Sequence, residues 1–409
     1  MSDRTYIYRV VACFCLGWAV LYADRTVLYP MLDIIGRDFQ LSGAQTGLIT
    51  SAYFTLYVAM QIPTGILGDR YGLKKILMVS YFLAGVGLLC VGLFAREYFF
   101  LLMFVALHGI GAGSFYPAAY GITMATVPTS MRGFSSALVN TGMSMGLALG
   151  LAMSGPLYIA TQNWRMPFLI LAVPTLCLPF LFWRVLKDPP SLPKVRLPLA
   201  VIAKNSHFMR INGAVFCSMY GFWVAVTWGP TFFQTERGLG LEITGLFVAV
   251  TAIAAIPAAL FLGRLSDRIG RKKISLVIVP ISALTIAMMA YVDSLPLLLV
   301  ALILYGLVGK LAWDPVVVAW TGDFASLYHP QSLGTIIGVY NFSGMLSSIT
   351  APLFSGIIRD VTGSLVGAFY VGAAMVFLAF FLLLGVPEVQ EAKANLKKKE
   401  EAEEKILKQ

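Results

Sequence analysis

Charge is what this sequence lacks. Only 12% of its 409 residues are Asp, Glu, Lys or Arg, about half the share of a water-soluble domain. Too little polar surface exists to cover a fold in water, which excludes an ordinary soluble enzyme. The high apolar content excludes a disordered chain. Cysteine is scarce as well. Cys13, Cys15, Cys90, Cys177 and Cys217 all lie in apolar runs. They lack metal-ligand spacing and read as small core residues, not as a disulfide framework. Histidine is scarcer still, at three residues. With no nucleophile–base constellation, metal cluster or phosphate loop in view, neither an enzyme nor a cofactor is expected. What abounds is hydrophobic, 58% of the chain, in repeated runs of about 20 residues, the length that crosses a bilayer as a helix. The chain reads as an all-α polytopic membrane protein.

The apolar runs predict twelve helices, roughly at 6–32, 43–64, 76–95, 98–127, 134–159, 165–183, 211–235, 243–263, 274–292, 295–322, 331–358 and 365–386. The +10 net charge suggests a nucleic-acid partner until it is mapped onto these spans. With both ends on one side, the 30 Lys and Arg divide as 23 on that side, 5 opposite and 2 within spans. Basic residues collect on the cytoplasmic face, so the charge sets topology: a multi-pass cell-membrane protein of a bacterium or archaeon, both termini cytoplasmic. No nucleic-acid partner is expected. Arg4 and Arg9 ahead of an apolar stretch resemble a signal peptide. The stretch continues through Asp24 and Arg25 to Leu32 without a small-residue cleavage site, which argues for a retained span.

The chain repeats itself once. Gly65-Ile-Leu-Gly-Asp69-Arg70-Tyr-Gly72-Leu-Lys74-Lys75 recurs as Gly263-Arg-Leu-Ser-Asp267-Arg268-Ile-Gly270-Arg271-Lys272-Lys273, each between the second and third spans of its half. A further echo pairs Asn140 with Asn341. Equal offsets at separate places indicate a duplicated six-helix unit, a transporter arrangement. The expected layout is a bundle over 1–186, a cytoplasmic linker over 187–208 carrying Pro189, Pro190, Pro193 and Pro198, a second bundle over 209–387, and a charged, partly helical tail over 388–409. In that tail Glu401 with Lys405 and Glu404 with Lys408 have favourable helix spacing.

The doubled loop resembles the signature loop of the major facilitator superfamily. Supporting features are a fifth span with Gly142, Gly146, Gly150 and Gly155-Pro156, Trp164-Arg165 before the sixth, and Pro352 with Gly356 in the eleventh. The resemblance implies two six-helix bundles around a central cavity, rocking to give alternating access. Leu73 stands where that family usually has Arg, which would weaken the first copy. Independently of the resemblance, Asp69 and Asp267 can sit near the positive end of a neighbouring helix and pair with Arg or Lys. Asp69, Arg70, Asp267 and Arg268 are therefore candidate gating residues, or simply marks of the cytoplasmic face. Glycines four apart in the fifth span permit close helix approach.

Four charges fall well inside the predicted spans: Asp24, Arg25, Lys310 and Asp314. Each is costly there and needs a partner or a cavity. Their sum of zero also allows a structural reading in which they neutralise one another. Lys310 and Asp314 share a helix face at i,i+4, with Pro315 expected to interrupt the helix just after. The segment Tyr22-Ala-Asp24-Arg25-Thr26 resembles the Asp-Arg pair of the anion:cation symporter branch. That implies Asp24 as a protonation site and Arg25 as an anion contact. The fourth span departs from the branch, with Val105 and Ala112 where an Arg and a Glu are common. The repeat sets Lys310 opposite Ala112 and Asp314 opposite Tyr116, so the second half carries the ionisable pair that the first half lacks. His108 is a candidate proton relay or a satisfied core histidine. His207 and His329 lie in loops.

Tyr53, Tyr57, Asn140, Trp223, Tyr340 and Asn341 complete the expected cavity lining. The expected function is proton-coupled symport of a small organic anion, most simply a carboxylate, by a monomer. Arg25 and Lys310 would hold the anion, with Asp24, Asp314 and His108 serving the proton. Alternatives are a proton-driven exporter of amphipathic or cationic compounds and facilitated diffusion without coupling. A sensor or scaffold would need a further domain.

Overall fold

The structure, a computed structural model, describes residues 3–128, 132–188, 204–329 and 333–394. Most of the linker and the tail pairs of Glu401 and Glu404 lie outside the described residues. Among those described, the regular secondary structure is helical, with no strand. Twelve membrane-length segments follow in order. The first half has α1 (Asp3–Thr26, continued by a 3-10 turn Tyr29–Met31 and a short helix Leu32–Asp38), α2 (Gly43–Tyr71), α3 (Leu73–Phe94), α4 (Tyr98–Ala112 and Phe115–Thr126), α5 (Arg132–Thr161) and α6 (Met166–Val185). The second has α7 (Ser206–Trp223, a π turn Val224–Trp228, then Gly229–Arg237), α8 (Leu241–Ile269), α9 (Arg271–Tyr291), α10 (Leu295–Val308 and Lys310–Tyr328), α11 (Leu333–Thr362) and α12 (Val366–Leu384).

Several helices outrun the apolar runs because local signals carry them into the loops. Ser42 and Gln45 cap the first turn of α2 reciprocally. The repeated loops stop α2 and α8 at Gly72 (φ 98°) and Gly270 (φ 111°), conformations that side-chain-bearing residues avoid. The helices that follow are capped from elsewhere. Asp188 accepts from the Lys74 amide at 2.7 Å and Glu388 from the Lys272 amide at 2.7 Å. Asp267 pairs at 3.2 Å with Arg271, the first residue of α9.

The packing is itself repeated. In the first half α1 lies on α5, α2 on α4 and α3 on α6; in the second α7 lies on α11, α8 on α10 and α9 on α12. Gly142, Gly146 and Gly150 of α5 face the backbone carbonyls of Cys15, Ala19 and Ala23 of α1, leaving no room for a Cβ. The predicted close approach is therefore real, and α1 is its partner. The halves meet through α2 with α11 and through α5 with α8.

Among the described residues, ten segments are long and apolar enough to cross a membrane by length and composition. The remaining two are α2 and α11, which carry Gln45, Thr46, Thr50, Ser51 and Thr55, and Asn341, Ser343, Ser347, Ser348 and Thr350. These polar helices face each other across the halves, with the Ser51 hydroxyl donating to the Ile349 carbonyl at 2.7 Å.

On the face opposite the chain ends the halves are locked together. Asp360 of α11 accepts from the Gly43 amide at 2.5 Å and the Ala44 amide at 2.8 Å, capping α2 from across the interface. Asp33 bonds Arg359 at 3.1 Å and Arg37 at 2.6 Å. Asp33 is 5% exposed and joins Asp24, Arg25 and Lys310 as a buried charge, because α1 continues past Pro30 into a second short helix, whereas Asp314 is only half-buried.

Candidate functional site

A cavity of about 350 Å³ lies between the halves. Its lining runs from Tyr22, Trp223 and Met345 near mid-span to Asn140 and Ile337 near the face that carries the chain ends. Tyr57, Tyr116, Tyr120 and Tyr340 face it beside Met143, Met219, Ile337 and Met345, so its walls are mainly apolar with a few hydroxyls among them. Tyr120 donates to the Asn140 side chain, and Asn341 donates to Gln61 at 3.3 Å across the halves.

The charge in this cavity sits at a break in α10. Gly309 adopts an extended ψ of −172°, and a new helical segment begins at Lys310 with no side chain capping it. The sequence reading placed the interruption at Pro315; the helix instead runs through that proline and breaks at Gly309. Lys310 thereby stands at a helix N-terminus, where the backbone dipole adds to its positive charge. Its Nζ lies 3.1 Å from Asp314 Oδ1, the pairing expected at i,i+4. Tyr340 donates to the same oxygen at 2.8 Å. Trp313 anchors the segment from behind by donating to the Ser275 hydroxyl at 2.8 Å.

Arg25 is corrected. It does not line this cavity, because aromatic rings cover it: its guanidinium carbon lies 3.4 Å from the Tyr22 ring centroid, 5.3 Å from that of Trp223 and 5.4 Å from that of Phe54. It is 4% exposed, and among the described residues it forms no ion pair. Tyr53 also faces away from the central cavity. With Asp24, Arg25, Tyr29, Thr50 and His108 it lines a separate small void inside the first half. Asp24 Oδ2 accepts from the Thr175 hydroxyl at 2.8 Å.

Tyr57, Asn140, Trp223, Lys310, Asp314, Tyr340 and Asn341 are thus brought together, while Asp24, Arg25, Tyr53 and His108 form a second group behind them. Trp18, Tyr120, Phe222 and Gln61 join the site without having been singled out. Spacing from known cavity positions on the same helices could have found them, since Trp18 precedes Tyr22 and Gln61 follows Tyr57 by one turn. At the repeated loops, Arg271 bridges Asp267 at 3.2 Å and Asp323 at 2.5 Å. Arg268 is exposed, Arg70 lies over the Tyr71 ring at 5.2 Å, and the Asp69 side chain is outside the described set. Leu73, at the position of Arg271, packs on Gly68 and Gly121 instead.

A transporter architecture with a charged inter-half cavity is the class that this geometry defines. The family model described as Major Facilitator Superfamily matches residues 14–352, and the chain belongs to that family. The chain is 26% identical to the "Probable sulfoacetate transporter SauU" of Cupriavidus necator, over 90% of this chain and 91% of that one. It is 27% identical to the "Probable galactarate/D-glucarate transporter GarP" of Escherichia coli, over 93% of each. Among solved structures, a bacterial homolog to the human lysosomal transporter Spinster, in an inward-facing and occupied conformation, superposes with a TM-score of 0.74 at 18% identity, covering 94% of this chain and 95% of that one.

Proposed function

We propose that this protein is a secondary transporter of small organic anions bearing a carboxylate or sulfonate, driven by protons and working by alternating access. One observation carries the reading: Lys310, 6% exposed, opens an uncapped half-helix at the wall of a cavity between two repeated bundles. Discontinuous helices whose N-termini point at anionic groups are a recurrent way to bind substrate at mid-membrane. The substrates in the names of those relatives, sulfoacetate and galactarate or D-glucarate, are of this chemical class.

Lys310 is already matched by Asp314, so an entering anion competes for the ammonium. A proton on Asp314 frees Lys310 for the substrate without leaving a carboxylate beside it, and Tyr340 remains to hold the protonated acid. Asp24, buried and without an ion pair among the described residues, is the coupling carboxylate. Residues 1–186 and 209–387 act as the moving units. The face of the chain ends is cytoplasmic, following its excess of Lys and Arg, and the cavity in this state opens inward. A monomer is the proposed working unit.

The aromatic walls favour a second reading, export of amphipathic cations. Thermal unfolding of the purified protein with sulfoacetate, galactarate, D-glucarate or tetraphenylphosphonium at two pH values separates the two, because a ligand of the folded state raises its stability by mass action. Stabilisation by an anion, weakened about tenfold or more by Lys310→Gln, is expected. Stabilisation by the cation alone would replace the anion reading with the exporter.

A further inference from the structure

The central cavity has a place for one substrate charge. Among the described residues Lys310 and Asp314 are the charged side chains that line it, and together they sum to zero. A proton on Asp314 leaves one positive charge, which a single anionic group neutralises. A second anionic group would need a second cation. Arg25 does not supply it, because its guanidinium is stacked on Tyr22 and Trp223, whose rings form the wall there. Under alternating access the site closes to both sides in passing, and an unmatched charge in the middle of a membrane is costly to hold.

The rest of the wall offers little to a polyhydroxylated body. Tyr120 donates to Asn140, Tyr340 donates to Asp314 at 2.8 Å, and Asn341 donates to Gln61 at 3.3 Å. These polar groups are already engaged within the protein, and a buried hydroxyl left without a partner weakens binding. Apolar surface is more plentiful. Met143 of α5, Leu311 and Val318 of α10 and Ile337 of α11 are half-buried side chains on the lining. The first half adds an aromatic ledge, with the Tyr116 and Tyr120 rings 4.6 Å apart and Trp18 6.4 Å from Tyr116. An apolar cavity of about 150 Å³ admits benzene. The cavity here, at about 350 Å³, takes a ring or short chain together with its carboxylate.

We infer that this cavity selects a monoanion with an apolar body, an aryl or short alkyl monocarboxylate. Lys310 holds the charged end, and the Tyr116–Tyr120 ledge with Met143 receives the body. The inference rests on the reading of Lys310 as the anion contact and narrows it. The acids in the names of the relatives, sulfoacetate and galactarate or D-glucarate, then bind here less tightly. Each brings a second charge with no cation to meet it, and the sugar acids add hydroxyls with few partners. An apolar body gains instead from leaving water.

The test is calorimetric titration of the full chain in lipid nanodiscs at neutral pH, with empty nanodiscs as the measure of partition into lipid. Acetate, butyrate and hexanoate differ only in methylenes, while hexanoate and adipate differ by one charged end. Affinity should rise about fourfold per methylene up to hexanoate. Adipate and D-glucarate should bind about tenfold or more weakly than hexanoate, and Lys310→Gln should weaken hexanoate by about tenfold. Adipate or D-glucarate binding as tightly as hexanoate, or affinity flat from acetate to hexanoate, overturns the inference and leaves Lys310 as an anion contact. Hexanoate binding unmoved by Lys310→Gln overturns it too, because the carboxylate would then lie elsewhere. If that variant does not fold, the comparison of hexanoate with adipate on the native chain still decides. Tetraphenylphosphonium bound with no carboxylate bound would remove the anion reading itself.

Discussion

At the residue scale, what the chain discloses depends on whether a partner lies within one turn. Lys310 and Asp314 were legible as a pair because i,i+4 spacing brings them together on any helix. Arg25 was not, because its surroundings come from Tyr22, Phe54 and Trp223 on three different helices. Its planar guanidinium suits that setting, and an ammonium stacks less well on rings. Arg25→Lys should therefore lower stability by about 1–2 kcal/mol, read as a drop in thermal midpoint, while anion binding at Lys310 persists. Asp24→Asn makes the complementary case. Uptake against a gradient should vanish and counterflow exchange remain, measured with radiolabelled sulfoacetate or D-glucarate in proteoliposomes. Accumulation unchanged by that substitution would remove Asp24 from the coupling.

At the scale of elements, glycine spacing in α5 announced a close contact but not its partner. Only the fold shows that three successive turns of α1 offer their carbonyls to it. A Cβ on Gly146 would come within 2.1 Å of the Ala19 carbonyl oxygen. Gly146→Val should destabilise the first half by about 1–3 kcal/mol or more, seen as reduced folded yield and a lower unfolding midpoint. The break in α10 was misplaced for a related reason. Proline is the louder signal in a sequence, yet the extended backbone of Gly309 ends the turn. The equivalent position in the other half, Gly111, is helical, and Gly113 and Ser114 beyond it keep right-handed helical angles, so the extended break, like the charge, belongs to the second copy alone.

For the whole molecule, the two-bundle architecture could be read from one repeated motif, because duplication at equal offsets fixes symmetry before any contact is known. The lock on the far face could not. It joins Asp33 and Gly43 to Arg359 and Asp360, residues more than three hundred apart, and no local pattern announces such a pairing. The sequence reading placed gating at Asp69, Arg70, Asp267 and Arg268 on the opposite face. Under the proposed rocking mechanism both faces need latches, and the contacts seen here join the halves on the face away from the chain ends. Asp360→Asn weakens the cap on α2, and Arg359→Gln leaves Asp33 with Arg37 alone. Each should raise the population open to the outside, measured as a longer spin-label distance between the outer ends of α2 and α11. An unchanged distance in both would exclude these residues as the latch.

The polarity of α2 and α11 reaches beyond the finished protein into its manufacture. A nascent segment enters the bilayer according to its own apolar content, and these two have the least claim to do so alone. Each must be carried in by neighbours already able to stay: α2 between α1 and α3, α11 beside α12. A ribosome stalled before α12 emerges should therefore leave α11 outside the lipid, where a membrane-impermeant thiol reagent can label an introduced cysteine. The two helices that join the halves would thus also decide when, during synthesis, the halves can first meet.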